Sequence, residues 1–128
     1  MKTMFLIQGV VAIGGTGLLS ASEPTAFDGG RFFEQQVLPI LEQHCFKCHS
    51  REHDAEGGLV LDTRAGCSTG GESGPAVKAG DLRNSPVIQA VRHVDPETAM
   101  PPKKKLTPME IALLETWVLL GAPDPRPE

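Results

Sequence analysis

The chain of 128 residues has no tyrosine, one tryptophan and five phenylalanines. It is therefore short of the large side chains with which a small domain closes its core unaided. The length admits one modest domain, and so few aromatics call for a staple or a large apolar cofactor to complete it. Positive charge is scarce as well, with 12 Lys and Arg against 16 Asp and Glu and a net charge of −4. That balance offers no basic surface to a nucleic acid. The one concentrated positive run, Lys103-Lys104-Lys105, reads as a solvated loop. No internal repeat is visible, and no apolar run reaches the ~20 residues of a membrane-spanning helix.

What is present begins with a leader pattern. Residues 1–22 start with Lys2, run through Met4-Phe5-Leu6-Ile7 and Val10-Val11-Ala12-Ile13 to Leu18-Leu19, and end in Ser20-Ala21-Ser22. This order predicts a secretory signal peptide, and hence an exported protein, periplasmic or otherwise extracytoplasmic, with no stable membrane span after cleavage. Residues 23–30 are small and polar and read as a linker. Residues 31–122 form the expected domain, and 123–128, with three prolines, form a tail that cannot continue a helix.

Within the domain, Phe33, Val37, Ile40 and Leu41 recur at helical spacing and predict an amphipathic helix over 31–44, which Pro39 should bend or split. Leu59-Val60-Leu61 is a short apolar run, a strand or an extended segment. Ala65 to Gly74, rich in glycine and serine, reads as a surface loop that joins this run to Pro75-Ala76-Val77 in a small hairpin. Ser85 as N-cap with Pro86 behind it opens a short helix to about His93, whose apolar face is Val87, Ile88, Val91 and Val94. The strongest local signal opens the last helix: Thr107 as cap, Pro108, Glu110 three residues after the cap, and Leu106 able to staple onto Ile111. Ile111, Leu114, Trp117 and Val118 share its inner face, and Gly121 ends it.

The chemistry lies in Cys45-Phe46-Lys47-Cys48-His49, which fits the C-x-x-C-H haem attachment pattern. Two thiols three positions apart on a helical turn can add to the two vinyl groups on one edge of a haem. The next residue, His49, then reaches the iron as a neutral imidazole donor. Two other readings compete. A thioredoxin-like dithiol expects a strand and a βαβ pattern before the motif, where this sequence has a helix. A zinc site could draw on Cys45, Cys48, Cys67 and either His49 or His53, but the second paired knuckle of a zinc ribbon is missing.

An electron-carrying haem keeps both axial positions filled. The candidates for the distal position are Met100, Met109, His44, His53 and His93. Met100 stands between two helices, and Pro101-Pro102 force it out of helical geometry and stiffen its loop, so it is the expected distal ligand. Met109 falls in the first turn of the last helix and is assigned to core packing. His44 is too close to the attachment site to swing to the opposite face, His53 and His93 are read as solvent-facing, and His93 is the substitute if Met100 is not bound. Cys67 is left over after two thioethers, either a chance buried or loop thiol or a free or intermolecular one. Arg64 and Arg92 could pair with haem propionates, ordinary surface arginines being the default.

The segments Phe32-Phe33-Glu34, Val37-Leu38-Pro39-Ile40-Leu41, Cys45 to Ser50, Gly57-Gly58-Leu59 to Ala65, Gly74-Pro75-Ala76-Val77 and Met100-Pro101-Pro102-Lys103 together resemble the planctomycete-type cytochrome c domain family, over nearly all of residues 32–122. The resemblance implies a mainly α, class I-like cytochrome c fold around one covalent haem c. It places an inserted loop or short β-hairpin between the haem-attachment helix and the C-terminal helices. It also implies thioethers at Cys45 and Cys48, His49 as proximal and Met100 as distal iron ligand. Members often precede further domains, a layout this chain does not show. The expected function is one-electron transfer to redox partner proteins, with no substrate turnover. The alternatives are a haem sensor or haem-enzyme module with a labile distal ligand, and a zinc-stabilised structural module.

Overall fold

The structure, a computed structural model, describes residues 25–128 together with 14, 15 and 17. The predicted signal segment otherwise lies outside the described residues. The first helix comes in three contiguous pieces: α1 (Gly29–Phe32), a π-helical stretch (Phe33–Val37) and α2 (Leu38–His44). It opens inside the expected linker, because Asp28 caps it by accepting from the Arg31 N–H at 3.0 Å. Pro39 falls in the first turn of α2. A proline ring collides with the carbonyl four residues back, and the chain meets this by widening the preceding turn, where the Leu38 N–H reaches the Phe33 carbonyl. The expected split is thus a π-bulge.

After a turn at 45–48, a short 3-10 turn (Glu56–Gly58) leads to extended Leu59–Leu61, then α3 (Arg64–Thr69), α4 (Pro86–Arg92) and α5 (Pro108–Leu119). The described residues contain no β-strand, only isolated bridges at His49–Ala55 and Gly71–Gly74. This corrects the expected hairpin. Thr63 caps α3 by accepting from the Gly66 N–H at 2.9 Å, which turns half of the supposed loop into a helix. At its end Gly70 takes φ +74°, and a Cβ there would sit 1.7 Å from the Gly74 carbonyl oxygen. Only glycine permits that tight return.

The main core joins Phe33, Val37, Ile40 and Leu41 to Ile88 and Val91 of α4 and to Leu114, Trp117 and Val118 of α5. A smaller cluster of Leu61, Cys67 and Ala76 backs the extended segment. The rings of Phe33 and Trp117 lie 5.6 Å apart at a 48° tilt, within the favourable range for aromatic pairs. Two apolar assignments are corrected. Helix α4 ends at Arg92 with His93 left-handed, so Val94 is thrown outward and is 64% exposed. Met109, expected in the core, is 69% exposed, because it lies across α5 from the Leu114–Val118 face.

Helix α5 forms as its residues dictate. Thr107 Oγ1 accepts from the Glu110 N–H, and Glu110 Oε2 accepts in return from the Thr107 N–H at 2.8 Å, a complete capping box. Gly121 closes the helix at φ +93°, with the Ala122 N–H on the Trp117 carbonyl and the Gly121 N–H on that of Val118. Replacing Thr107 with alanine is expected to lower stability by about 1 kcal/mol, read as a shift in the urea midpoint with an unchanged slope. At α4 the expected cap is different: Ser85 precedes the helix, but its hydroxyl is tied to the Lys78 N–H and carbonyl at 2.9 and 3.0 Å.

Residues 123–128 pack against the domain. Trp117 Nε1 donates to the Pro123 carbonyl at 2.9 Å. Arg126 donates to Asp124 and to the Leu61 carbonyl, and its guanidinium lies 4.7 Å from the centre of the Phe33 ring. The side chains of Arg126 and Asp124 are 12% and 4% exposed, so this pair ties the C-terminus to the core.

Candidate functional site

The C-x-x-C-H residues fold as a further turn at the end of α2. The Cys45 N–H bonds to the Leu41 carbonyl at 2.9 Å, and the Cys45 carbonyl accepts from Cys48 and His49 at 3.2 and 2.9 Å. The turn is then clamped from the opposite side, since the Glu56 N–H reaches the Cys48 carbonyl and the Leu61 N–H that of His49. These bonds set Cys45, Cys48 and His49 on one wall of a cavity of about 460 Å3, a size typical of cofactor sites. Leu59, Leu61 and Ala76 line a second side, and Val87, Ala90 and Val91 of α4 a third. Met100, Pro101 and Pro102 contribute from the loop ahead of α5. The Met100 N–H is held by the Ala90 carbonyl at 3.0 Å, and the residue is 36% exposed.

All four residues singled out from the sequence, Cys45, Cys48, His49 and Met100, therefore line one mainly apolar cavity. The donor set suits a haem: two thiols on one turn, an imidazole beside them, a thioether sulfur on the loop, and apolar walls for a ring system. His49 Nδ1 is buried with no hydrogen-bond partner. Burial pushes the Cys45 thiol up to about 12, with Cys67 and Cys48 adding to the effect, so it stays protonated at neutral pH.

The remaining candidates separate cleanly. His44 also lines the cavity, and its Nε2 meets Glu110 Oε1 at 2.9 Å. Glu110 is thereby a cap and a cavity-wall tie at once, its carboxyl held below the usual range by the Thr107 N–H and by His44. His53 is exposed, whereas His93, expected to face solvent, is half-buried with Nε2 fully enclosed. Cys67 is buried, its thiol donating to the Leu61 carbonyl at 3.7 Å and accepting from Arg126 at 3.5 Å. Arg64 pairs with Glu128 and Arg92 with Glu115 at 2.7 Å, and neither lines the cavity. Among the described residues no three His, Cys, Asp or Glu side chains gather as a metal site, which leaves the zinc reading without a geometry.

Sequence reasoning missed the His44–Glu110 tie and the reach of Arg126 to the Leu61 carbonyl. Both join residues to partners that no local pattern announces, 66 and 65 positions apart.

A mainly helical domain with the C-x-x-C-H turn on one side of an apolar cavity and a methionine loop lining it too is compatible with a small helical cytochrome fold. Residues 45–104 match the model of the family described as Planctomycete cytochrome C, which bears out the resemblance carried by the motifs. The match takes in every cavity wall from Cys45 to Pro102. No curated protein and no solved structure matches the chain significantly. A cytochrome c domain points to haem binding, to electron transfer rather than substrate turnover, and to redox partners. No helix among the described residues is long and apolar enough to cross a membrane.

Proposed function

We propose that this protein is an exported c-type cytochrome that carries single electrons through one haem, held by thioethers at Cys45 and Cys48 and ligated by His49 and Met100. The observation that carries the reading is that these four side chains line the same apolar cavity. Bound there, the haem iron supplies a one-electron couple. The chain's own residues do the rest. The turn at 45–49, clamped by Glu56 and Leu61, fixes the attachment points relative to the imidazole. His49 supplies a neutral nitrogen donor, and the soft Met100 thioether favours the reduced iron and so raises the potential.

Apolar residues from α4 and from Leu59–Leu61 exclude water, and a low-dielectric wall penalises the more highly charged oxidised site. The Met100 loop is pinned through Ala90 and stiffened by two prolines, which would hold the Met100 sulfur ready as a ligand to a bound haem. Export, proposed from the leader pattern, puts the thiols in the compartment where such attachment takes place.

The test is the holoprotein with Met100→Ala. Wild type is expected to show the spectrum of a six-coordinate haem with methionine sulfur on iron and to resist carbon monoxide. The variant should lose the sulfur signature, bind carbon monoxide readily and have a lower midpoint potential. Equal carbon monoxide binding by wild type and variant would transfer support to a labile-ligand sensor or enzyme.

A further inference from the structure

Resting on the haem reading above, we propose that His44 is a positioning residue for the distal ligand: through Glu110 it ties the attachment turn to the end of the Met100 loop, and so keeps the Met100 thioether on iron. His44 closes α2 immediately before Cys45, and it lines the same cavity as Cys45, Cys48, His49 and Met100. Its Nε2 meets Glu110 Oε1 at 2.9 Å. An ionised carboxylate can only accept, so the ring nitrogen carries the proton and donates. Both side chains are largely shielded, at 17% and 23% exposure.

Glu110 divides its two oxygens between two segments. Oε1 takes His44, while Oε2 takes the Thr107 N–H at 2.8 Å and the Thr107 hydroxyl at 2.9 Å. Thr107 is where the Met100 loop ends and α5 begins. At its other fixing the loop hangs by the Met100 N–H from the Ala90 carbonyl. Between these two points the backbone of residues 101–106 makes no hydrogen bond among the described residues. The segment is therefore located by Leu106, 4% exposed in the main core, and by the grip of Glu110 on Thr107.

The Thr107 N–H, and His44 after it, hold the Glu110 carboxyl below the usual range. It stays a charged acceptor at neutral pH, and charge-assisted bonds are the stronger kind. Residues behind a metal ligand govern how firmly that ligand binds, by fixing where it stands. His49 has its own clamp, since it sits on a turn held from the far side by the Glu56 and Leu61 N–H groups. Met100 has the looser support, and the tie from His44 acts on that side.

The experiment measures carbon monoxide binding to the reduced holoprotein, together with the methionine-on-iron signature of the oxidised form, in wild type, His44→Phe, His44→Gln and Trp117→Phe. Phenylalanine keeps a ring in the cavity wall and removes the donor. It should raise the affinity for carbon monoxide about tenfold and weaken the sulfur signature. Glutamine keeps an N–H and should restore most of the wild-type behaviour. Trp117 does not line the cavity, so Trp117→Phe lowers stability and should leave both readings where they were. His44→Phe would do the same if its bond served only the fold.

Should His44→Phe fail to mature, Glu110→Ala cuts the same bond from α5, clear of the attachment turn, and is expected to bring the same tenfold change. The assignment is overturned by wild-type affinity for carbon monoxide in a coloured His44→Phe or Glu110→Ala, by an equal change in Trp117→Phe, or by a glutamine variant no better than phenylalanine. A wild type that is colourless, or has no methionine on iron, overturns the haem reading itself. A methionine-ligated wild type with unmoved variants overturns His44 alone, so the two failures are told apart.

Discussion

Replacing Cys45 and Cys48 together with alanine is expected to abolish covalent pigment altogether, whereas Cys67→Ala leaves it in place. The three thiols are alike in composition and unlike in surroundings. Cys45 and Cys48 lie on one backbone-bonded turn, and both face the cavity. Cys67 sits in α3, its sulfur bonded to the Leu61 carbonyl and to Arg126, and it does not line the cavity. Burial raises its thiol above the ordinary range, the nearby Arg126 opposing the shift in part, but burial raises Cys45 as well, so what sets Cys67 apart is its place away from the cavity. Each single variant at Cys45 or Cys48 should keep one thioether and give pigmented protein in reduced yield. Haem staining after denaturing electrophoresis reads all four cases. Pigment that survives the double replacement would mean that the attachment lies elsewhere.

The largest effect on stability is expected from Trp117→Ala, a loss of about 3–5 kcal/mol. Trp117 is 1% exposed, faces the Phe33 ring and donates its indole N–H to the Pro123 carbonyl. Truncation opens a void where the first helix, α5 and the C-terminal segment meet, and it strands the Pro123 acceptor. For a domain of this size each kcal/mol moves the melting temperature by roughly 4–8 °C. Trp117→Phe separates the two contributions: the ring remains and only the hydrogen bond goes, for a cost of about 1 kcal/mol. Thermal melts of the holoprotein followed by circular dichroism measure both. Equal losses in the two variants would mean that the N–H bond, and not ring packing, holds the C-terminus down.

How much of this was legible in advance follows the range of the forces involved. Helix α5 was readable down to its caps because Thr107, Pro108, Glu110 and Gly121 act within a turn of one another. The attachment turn was readable because the spacing of Cys45, Cys48 and His49 is itself the chemistry. Met100 stood out through the two prolines behind it, although the pinning of its N–H by Ala90 was not foreseen. Helix α3 was hidden by composition: glycine and serine suggested a loop, yet Thr63 and Gly70 were available as its cap and its stop. Met109 and Val94 were misjudged for want of helix phase and of the point where α4 ends.

Least legible were the long-range ties. Glu110 was visible as a capping residue and not as the partner of His44. Nothing local marked Arg126 as the side chain that reaches the Leu61 carbonyl and the face of Phe33. Such contacts exist only once the helices have packed, and the cavity is their joint product.

The most direct measurement is the mass of the purified, matured polypeptide under denaturing conditions, with its thiols alkylated beforehand. A chain heavier by one haem, modified by the alkylating reagent at most at Cys67, is what the account predicts. An unmodified mass with Cys45 and Cys48 both alkylated would contradict it.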